Sequence, residues 1–133
     1  MRSIVNGKQF EIPDAWWDAG GMSRFTPRAK AYRAVLSQND ATIAVPMSDI
    51  APPDRDLNVP SFCEERMIAI LRAFHTDTAL PPVEVKETSD APYRYRVYDG
   101  YHRYYASAGA GFLDLPVIIN RFDAEAFFAE PQD

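Results

Sequence analysis

Residues 97–119 read VYDGYHRYYASAGAGFLDLPVII, and no other stretch limits so strongly what this chain can fold into. An alternating run ends in Asp99-Gly100, a short small-residue segment runs to Gly109–Gly111, and LPVII reads as a buried strand. The order is strand, glycine turn, helix, strand. A glycine at such a junction lets the backbone come close to a ligand, and the free N–H groups and positive end of the helix favour an anion there. His102 and Arg103 stand on that first turn. Arg103 offers a planar fork for phosphate oxygens, and His102 adds a donor or carries a proton. These residues describe a phosphate cradle. The alternative reading is structural: many folds place a glycine between strand and helix, and Arg103 can pair with Asp99 or Asp114.

The remaining elements fit one mixed domain. SIV and QFEI flank Asn6-Gly7, the strongest hairpin signal, so residues 3–12 are expected as two short strands. Pro13-Asp14 opens a turn or short helix that Gly20-Gly21 ends. Pro27 suits the first position of a helix running to about Leu36, with Ala31, Tyr32, Val35 and Leu36 at helical spacing. ATIAVPMSDI reads as an edge strand because it contains a proline. The stretch 51–60 is a proline-rich loop. Ser61 to Glu64 has the form of a capping box, and Met67, Ile68, Leu71 and Phe74 form one stripe of the adjoining helix. VEVK and YRYRVYD are strands, the latter with Tyr93, Tyr95 and Val97 on one face. Asp123 is placed to cap a last short helix. The class is α+β, with a mixed sheet and packed helices. Residues 1–40 are an N-terminal elaboration, a hairpin plus helices, on a domain over 41–133.

Composition removes several functions. The 133 residues are 47% hydrophobic and 25% charged, an ordinary globular balance that excludes extended disorder. Nineteen acids against fourteen bases give a net charge of −5, which disfavours general nucleic-acid coating. A single cysteine, Cys63, excludes an intrachain disulfide framework and a Cys-rich zinc site. No spacing of His, Cys, Asp and Glu suggests a metal site. With neither a membrane-length apolar run nor a signal-peptide stretch, the expectation is a soluble, cytoplasmic protein without a membrane partner. Trp16, Trp17, Phe25 and Tyr32 read either as packing for the N-terminal segment or as an aromatic surface for a base or a protein partner. Arg66, Arg72, Arg94 and Arg96 read as solvated flanks. His75 ends its helix and is given no catalytic role.

DGYHRYYASAGAGFLDLPVII resembles the DG-x-x-R-x-x-A-x-x-x-x-G-x-x-x-x-P-V segment of the ParB/sulfiredoxin superfamily. VPMSDIAPPDR, ending at Arg55, is similar to the opening ParB segment, and the 61–75 helix with LPPVEVK is similar to the helix and P-x-x-V strand that come next in that superfamily. The resemblance covers about residues 43–120 and implies a ParB/sulfiredoxin-like fold with a nucleotide site. It places the phosphates of ATP or CTP at Gly100, Tyr101, His102 and Arg103, with Arg55 as a contributor from the proline-rich loop; a nucleotide can bring Mg²⁺ with it. Asp99-Gly100-x-His102-Arg103 also resembles the D-G-H-H-R motif of ParB-fold free-serine kinases. That implies catalytic work for Asp99, His102 and Arg103 and an upstream acidic base. Asp54, Asp56, Glu64 and Glu65 are the candidates, and each also reads as an ordinary solvated acid.

Two departures narrow the function. Sulfiredoxins place a cysteine between this glycine and histidine, where Tyr101 stands here, so sulfinic-acid reduction lacks its thiolate. The sequence ends thirteen residues after Asn120, so the usual centromere-reading domain is expected to be absent. The leading expectation is nucleotide binding with hydrolysis or phosphoryl transfer, in which positioning and charge neutralisation do most of the work. The alternatives are a non-catalytic regulatory or partition-associated module, and a nucleic-acid binder or nuclease-like protein.

Overall fold

Asn6 and Gly7 both have positive φ, 48° and 80°, and close a tight hairpin between β1 (Arg2–Val5) and β2 (Lys8–Glu11). Those signs are what a two-residue turn between twisted strands requires. The computed structural model describes residues 1–36, 41–53 and 62–120. After the hairpin come α1 (Asp14–Ala19), β3 (Ile43–Pro46), a 3₁₀ turn over Met47–Asp49, β4 (Ile50–Ala51) and α2 (Glu64–His75). β5 (Val83–Glu87), β6 (Tyr95–Asp99), α3 (Tyr101–Ala110) and β7 (Asp114–Ile119) complete the order.

Five strands form one mixed sheet in the order β3-β7-β5-β6-β4. β3 runs antiparallel to β7 at one edge, as its terminal proline suggests, and the two-residue β4 runs parallel to β6 at the other. The middle strand β5 is antiparallel to β6 and parallel to β7, so α3 carries the chain across β5 from one side to the other. The core joins Val83, Val85, Val97, Leu115 and Val117 of the sheet to Met67, Leu71 and Phe74 of α2 and to Tyr104 and Tyr105 of α3. Each fully buried aliphatic side chain there contributes roughly 1.5–3 kcal/mol. Ile70 joins the buried stripe of α2, while Ile68 is only half-buried.

Asn6 ties the hairpin to this body by hydrogen bonds, while Val5 and Phe10 join its core. Asn6 Nδ2 donates to the carbonyls of Met47 (2.8 Å) and Ile50 (2.6 Å), and the Tyr104 hydroxyl donates to the same Ile50 carbonyl (2.9 Å). The aromatic residues of the N-terminal segment pack inward. Tyr32 lies 5.6 Å from Phe74 and Phe25 lies 6.0 Å from Phe112, ring centre to ring centre.

Three local expectations are corrected. Residues 27–36 are not a helix. Their backbone is spent on partners elsewhere: Val35 N–H donates to Leu80 O (2.8 Å), Leu80 N–H to Arg33 O (2.9 Å) and Asp114 N–H to Lys30 O (2.9 Å). Tyr32 is buried, but Val35 and Leu36 are exposed, so the helical spacing marked no buried stripe. The helix after the proline-rich loop begins at Glu64 with Cys63 as its N-cap, so Glu64 is its first residue rather than the far end of a capping box. Ser61 lies outside the described residues, as does the segment expected to be a last helix after Asp123. β6 begins at Tyr95, two residues later than the alternation implied, because Tyr93 N–H closes a turn onto Asp90 O (3.0 Å). No helix among the described residues is long and apolar enough to cross a membrane.

Candidate functional site

Gly100 sets the geometry. Its φ of 116° and ψ of 32° reverse the chain between β6 and α3 in a conformation that a side chain disfavours. A Cβ at this position would lie 3.0 Å from both γ-methyl carbons of Val83 and 3.2 Å from its Cα. The junction therefore packs directly on β5, and the glycine is required by that strand in addition to any ligand.

α3 starts at the next residue, and its N-cap Gly100 has no side chain to cap it. Its first turn faces a cleft of about 400 Å³ lined by Arg66, Ala69 and Ile70 of α2, by Leu80 and Pro81, and by Asp99, Gly100, Tyr101, His102 and Arg103. Two guanidinium groups and one carboxylate thus share a cleft with the positive end of a helix, which favours an anion. The structure brings together five of the residues singled out in the sequence, Asp99 to Arg103. Arg55, Asp54 and Asp56 lie outside the described residues. Glu64 and Glu65 stand exposed on the first turn of α2 and do not line the cleft.

Arg103 pairs with neither Asp99 nor Asp114. Its Nη1 donates to the carbonyls of Pro81 and Pro82, each at 2.8 Å. Two N–H groups of one nitrogen are thereby used, while Nε and Nη2 carry three more. His102 has a second task as well. Its Nε2 accepts the backbone N–H of Cys63 at 2.8 Å, joining the starts of α2 and α3. An acceptor Nε2 requires a neutral ring with its proton on Nδ1. Phe62 packs over this junction, 5.5 Å from the Tyr101 ring and 5.7 Å from the His102 ring. Burial pushes the Tyr105 phenol up to about 12, and the neighbouring Tyr101 adds to the shift.

Sequence reasoning missed three parts of the site. Arg66 was read as a solvated flank, although it lies three and four residues before Ala69 and Ile70 and therefore on their face of the helix. The wall formed by Leu80 and Pro81 gave no local signal. Cys63, distant in sequence, stands against His102 through its backbone. Among the described residues no group of three or more His, Cys, Asp or Glu is gathered in a way that could hold a metal ion.

The family model of the ParB N-terminal domain matches residues 32–129. No curated protein matches the sequence. A C-terminally truncated chromosome-partitioning protein ParB from Caulobacter crescentus, complexed with CTP-γ-S, is 20% identical with a TM-score of 0.51, covering 65% of this chain and 47% of that one. The same protein complexed to the centromeric parS site gives 21% and 0.49, covering 65% and 44%. Sulfiredoxin from Arabidopsis thaliana gives 17% and 0.47, covering 66% and 93%. This chain spans about half the length of the ParB chain it matches. At such identities the likeness concerns the fold, which is the ParB/sulfiredoxin-like α+β class expected from the motif.

Proposed function

The chain belongs to the ParB N-terminal domain family, and from that premise we propose that it binds a nucleoside triphosphate, CTP or ATP, with the phosphates at the start of α3. The observation that carries this reading is the first turn of α3, which follows a glycine N-cap with no side chain of its own and opens into a cleft that holds Arg66 and Arg103. Backbone N–H groups of residues 101–103, the helix dipole and two guanidinium groups converge there, an arrangement suited to phosphate oxygens. The ParB solved with CTP-γ-S supports a nucleotide as the ligand. Arg55 remains part of the proposed phosphate set. Asp99 is the one carboxylate among the described lining residues, and it is the group that would meet a Mg²⁺ brought by the nucleotide.

Hydrolysis or phosphoryl transfer is the further part of the proposal. Arg103 and the α3 terminus would neutralise charge on the transferred group. His102, neutral and held through Nε2, offers its Nδ1–H as a donor beside them, and a proton-shuttling role would require it to release the Cys63 N–H; Asp99 stands across Gly100 from it. A non-catalytic nucleotide-responsive module is the second reading. It is favoured by the position of Glu64 and Glu65, which stand outside the cleft where a base is needed.

A thermal-shift screen of CTP and ATP, with and without Mg²⁺, tests the binding. A ligand at 100 times its dissociation constant adds about 2.7 kcal/mol of stability. Calorimetry on Arg103→Ala then tests the site. Loss of a charge-assisted hydrogen bond, about 1.5–3 kcal/mol, lowers affinity roughly 10- to 150-fold. Arg103→Lys recovers only part of it, because an ammonium keeps the charge without the fork. Arg94→Ala, on an exposed residue outside the cleft, changes little. Equal affinities for the wild type and a folded Arg103→Ala would sink the site. Release of phosphate or of a phosphorylated acceptor separates turnover from binding alone.

A further inference from the structure

We infer that Tyr32 is a positioning residue for Arg103, so that the segment over residues 30–35 tunes the cleft's affinity for nucleotide phosphate. The inference rests on the nucleotide reading above and adds a residue outside the cleft. The Pro81 carbonyl is shared: it accepts the Tyr32 hydroxyl at 2.6 Å and Arg103 Nη1 at 2.8 Å. Pro82 O takes Arg103 Nη1 as well, at 2.8 Å. With both N–H groups of Nη1 directed at two fixed carbonyls, the guanidinium plane is held, and the Nε and Nη2 donors keep one orientation for an oxyanion. A planar fork binds well only when its plane is fixed beforehand.

The carbonyls can hold Arg103 only if they are themselves held. Pro81 and Pro82 have no N–H, so neither can be locked by donating to a neighbour. The Pro81 carbonyl is locked from outside, by Tyr32. The phenol is 5% exposed and its ring packs on Phe74. Burial raises its pKa, and the nearby Arg103 pulls it the other way, in keeping with their proximity. The main chain on either side of Tyr32 is fixed by Lys30 O on Asp114 N–H and by the two hydrogen bonds between Arg33, Val35 and Leu80. Leu80 and Pro81 line the cleft. The segment 30–35 therefore reaches the cleft wall through Tyr32 and Leu80 without lining the cleft itself.

The test is a four-protein cycle of wild type, Tyr32→Phe, Arg103→Ala and the double variant, each titrated with CTP and with ATP by calorimetry. Tyr32→Phe keeps the buried ring and removes only the hydroxyl. Its affinity is expected to fall roughly 3- to 10-fold, the value of one neutral hydrogen bond. In the Arg103→Ala background the same change is expected to cost nothing further, because the group it positions is gone. An unchanged affinity in Tyr32→Phe beside a weakened Arg103→Ala overturns the positioning role and leaves the nucleotide site standing. An equal loss in both backgrounds overturns it too. Wild-type affinity in Arg103→Ala removes the nucleotide site and this inference with it. Arginine ¹⁵N spectra give a second readout: rotation about the Cζ–Nη bonds of Arg103 is expected to be slow in the wild type and faster in Tyr32→Phe. If Tyr32→Phe does not fold, fast rotation in the wild type alone refutes the proposal, and slow rotation supports it.

Discussion

Gly100→Ala is the substitution whose cost can be worked most directly from the structure. Two terms act against it. With φ at 116°, the backbone is one that alanine adopts only under strain, at about 1–3 kcal/mol. The new Cβ would also meet both Val83 γ-methyls at 3.0 Å and the Val83 Cα at 3.2 Å. Val83 is wholly buried at the start of β5, the middle strand, where it pairs with Val117. Its main chain has nowhere to go, and such overpacking costs about 1–3 kcal/mol more. The sum, roughly 2–6 kcal/mol, is a large part of the ~5–15 kcal/mol that a domain of this kind holds. Urea unfolding measures it as a lower midpoint at unchanged m-value. The companion variant Val83→Ala loses about 1–3 kcal/mol by itself. In the double variant the alanine methyl occupies room that the valine vacated, so the two costs should combine to less than their sum by about 1 kcal/mol or more. Strict additivity, or a loss below about 1 kcal/mol in Gly100→Ala, would refute the argument that β5 packing demands the glycine.

Two further outcomes are expected. Cys63→Ser should leave nucleotide affinity and any turnover unchanged within about 2-fold, because what reaches His102 is the backbone N–H, which serine retains; calorimetry on the folded variant checks this, and a lost response would mean the thiol itself acts. Above pH 10 the fold should weaken. Tyr105 is pushed up to about 12 by burial, and Tyr32 and Tyr104 are also raised by burial, so the folded chain keeps protons that the unfolded chain gives up. Their contribution is complete below pH about 10 and is lost as pH climbs through the folded-state values, by up to about 1.4 kcal/mol per pH unit for a wholly buried phenol such as Tyr104. Urea midpoints between pH 8 and 12 track it, and a Tyr104→Phe variant should show a shallower fall.

What the sequence disclosed depended on how local the cause was. β6 and α3 were legible because alternation at 95–98 and the glycine at 100 act over a few residues. The Asn6-Gly7 turn was legible for the same reason, but the Asn6 side chain's work on Met47 and Ile50 was not, since both partners are more than forty residues away. The expected helix at 27–36 failed because a proline at its start and a helical spacing are weak preferences. Hydrogen bonds to Leu80 and Asp114 outweigh them. The cap of α2 failed similarly: the partner of the Cys63 N–H is an imidazole 39 residues ahead, where a local rule looks within three.

Arg103 combines a motif position with a structural anchor. Its position after Gly100 suggested a phosphate ligand, whereas its hydrogen bonds in the structure go to two proline carbonyls. These roles compete only if both need the same N–H groups. A guanidinium has five, and the carbonyls use the two on Nη1, leaving one on Nε and two on Nη2 for an anion. Lysine carries its three donors on one nitrogen, so it cannot hold the carbonyls with one nitrogen and present a planar fork from two others. On the proposed function, the anchoring also answers the cost of holding a polyanion on an acidic chain. With a net charge of −5, long-range attraction does not favour the ligand, so affinity has to come from donors fixed at short range. An arginine clamped by carbonyls, at the start of a helix whose N-cap is a glycine and with Arg66 in the same cleft, is suited to supply that.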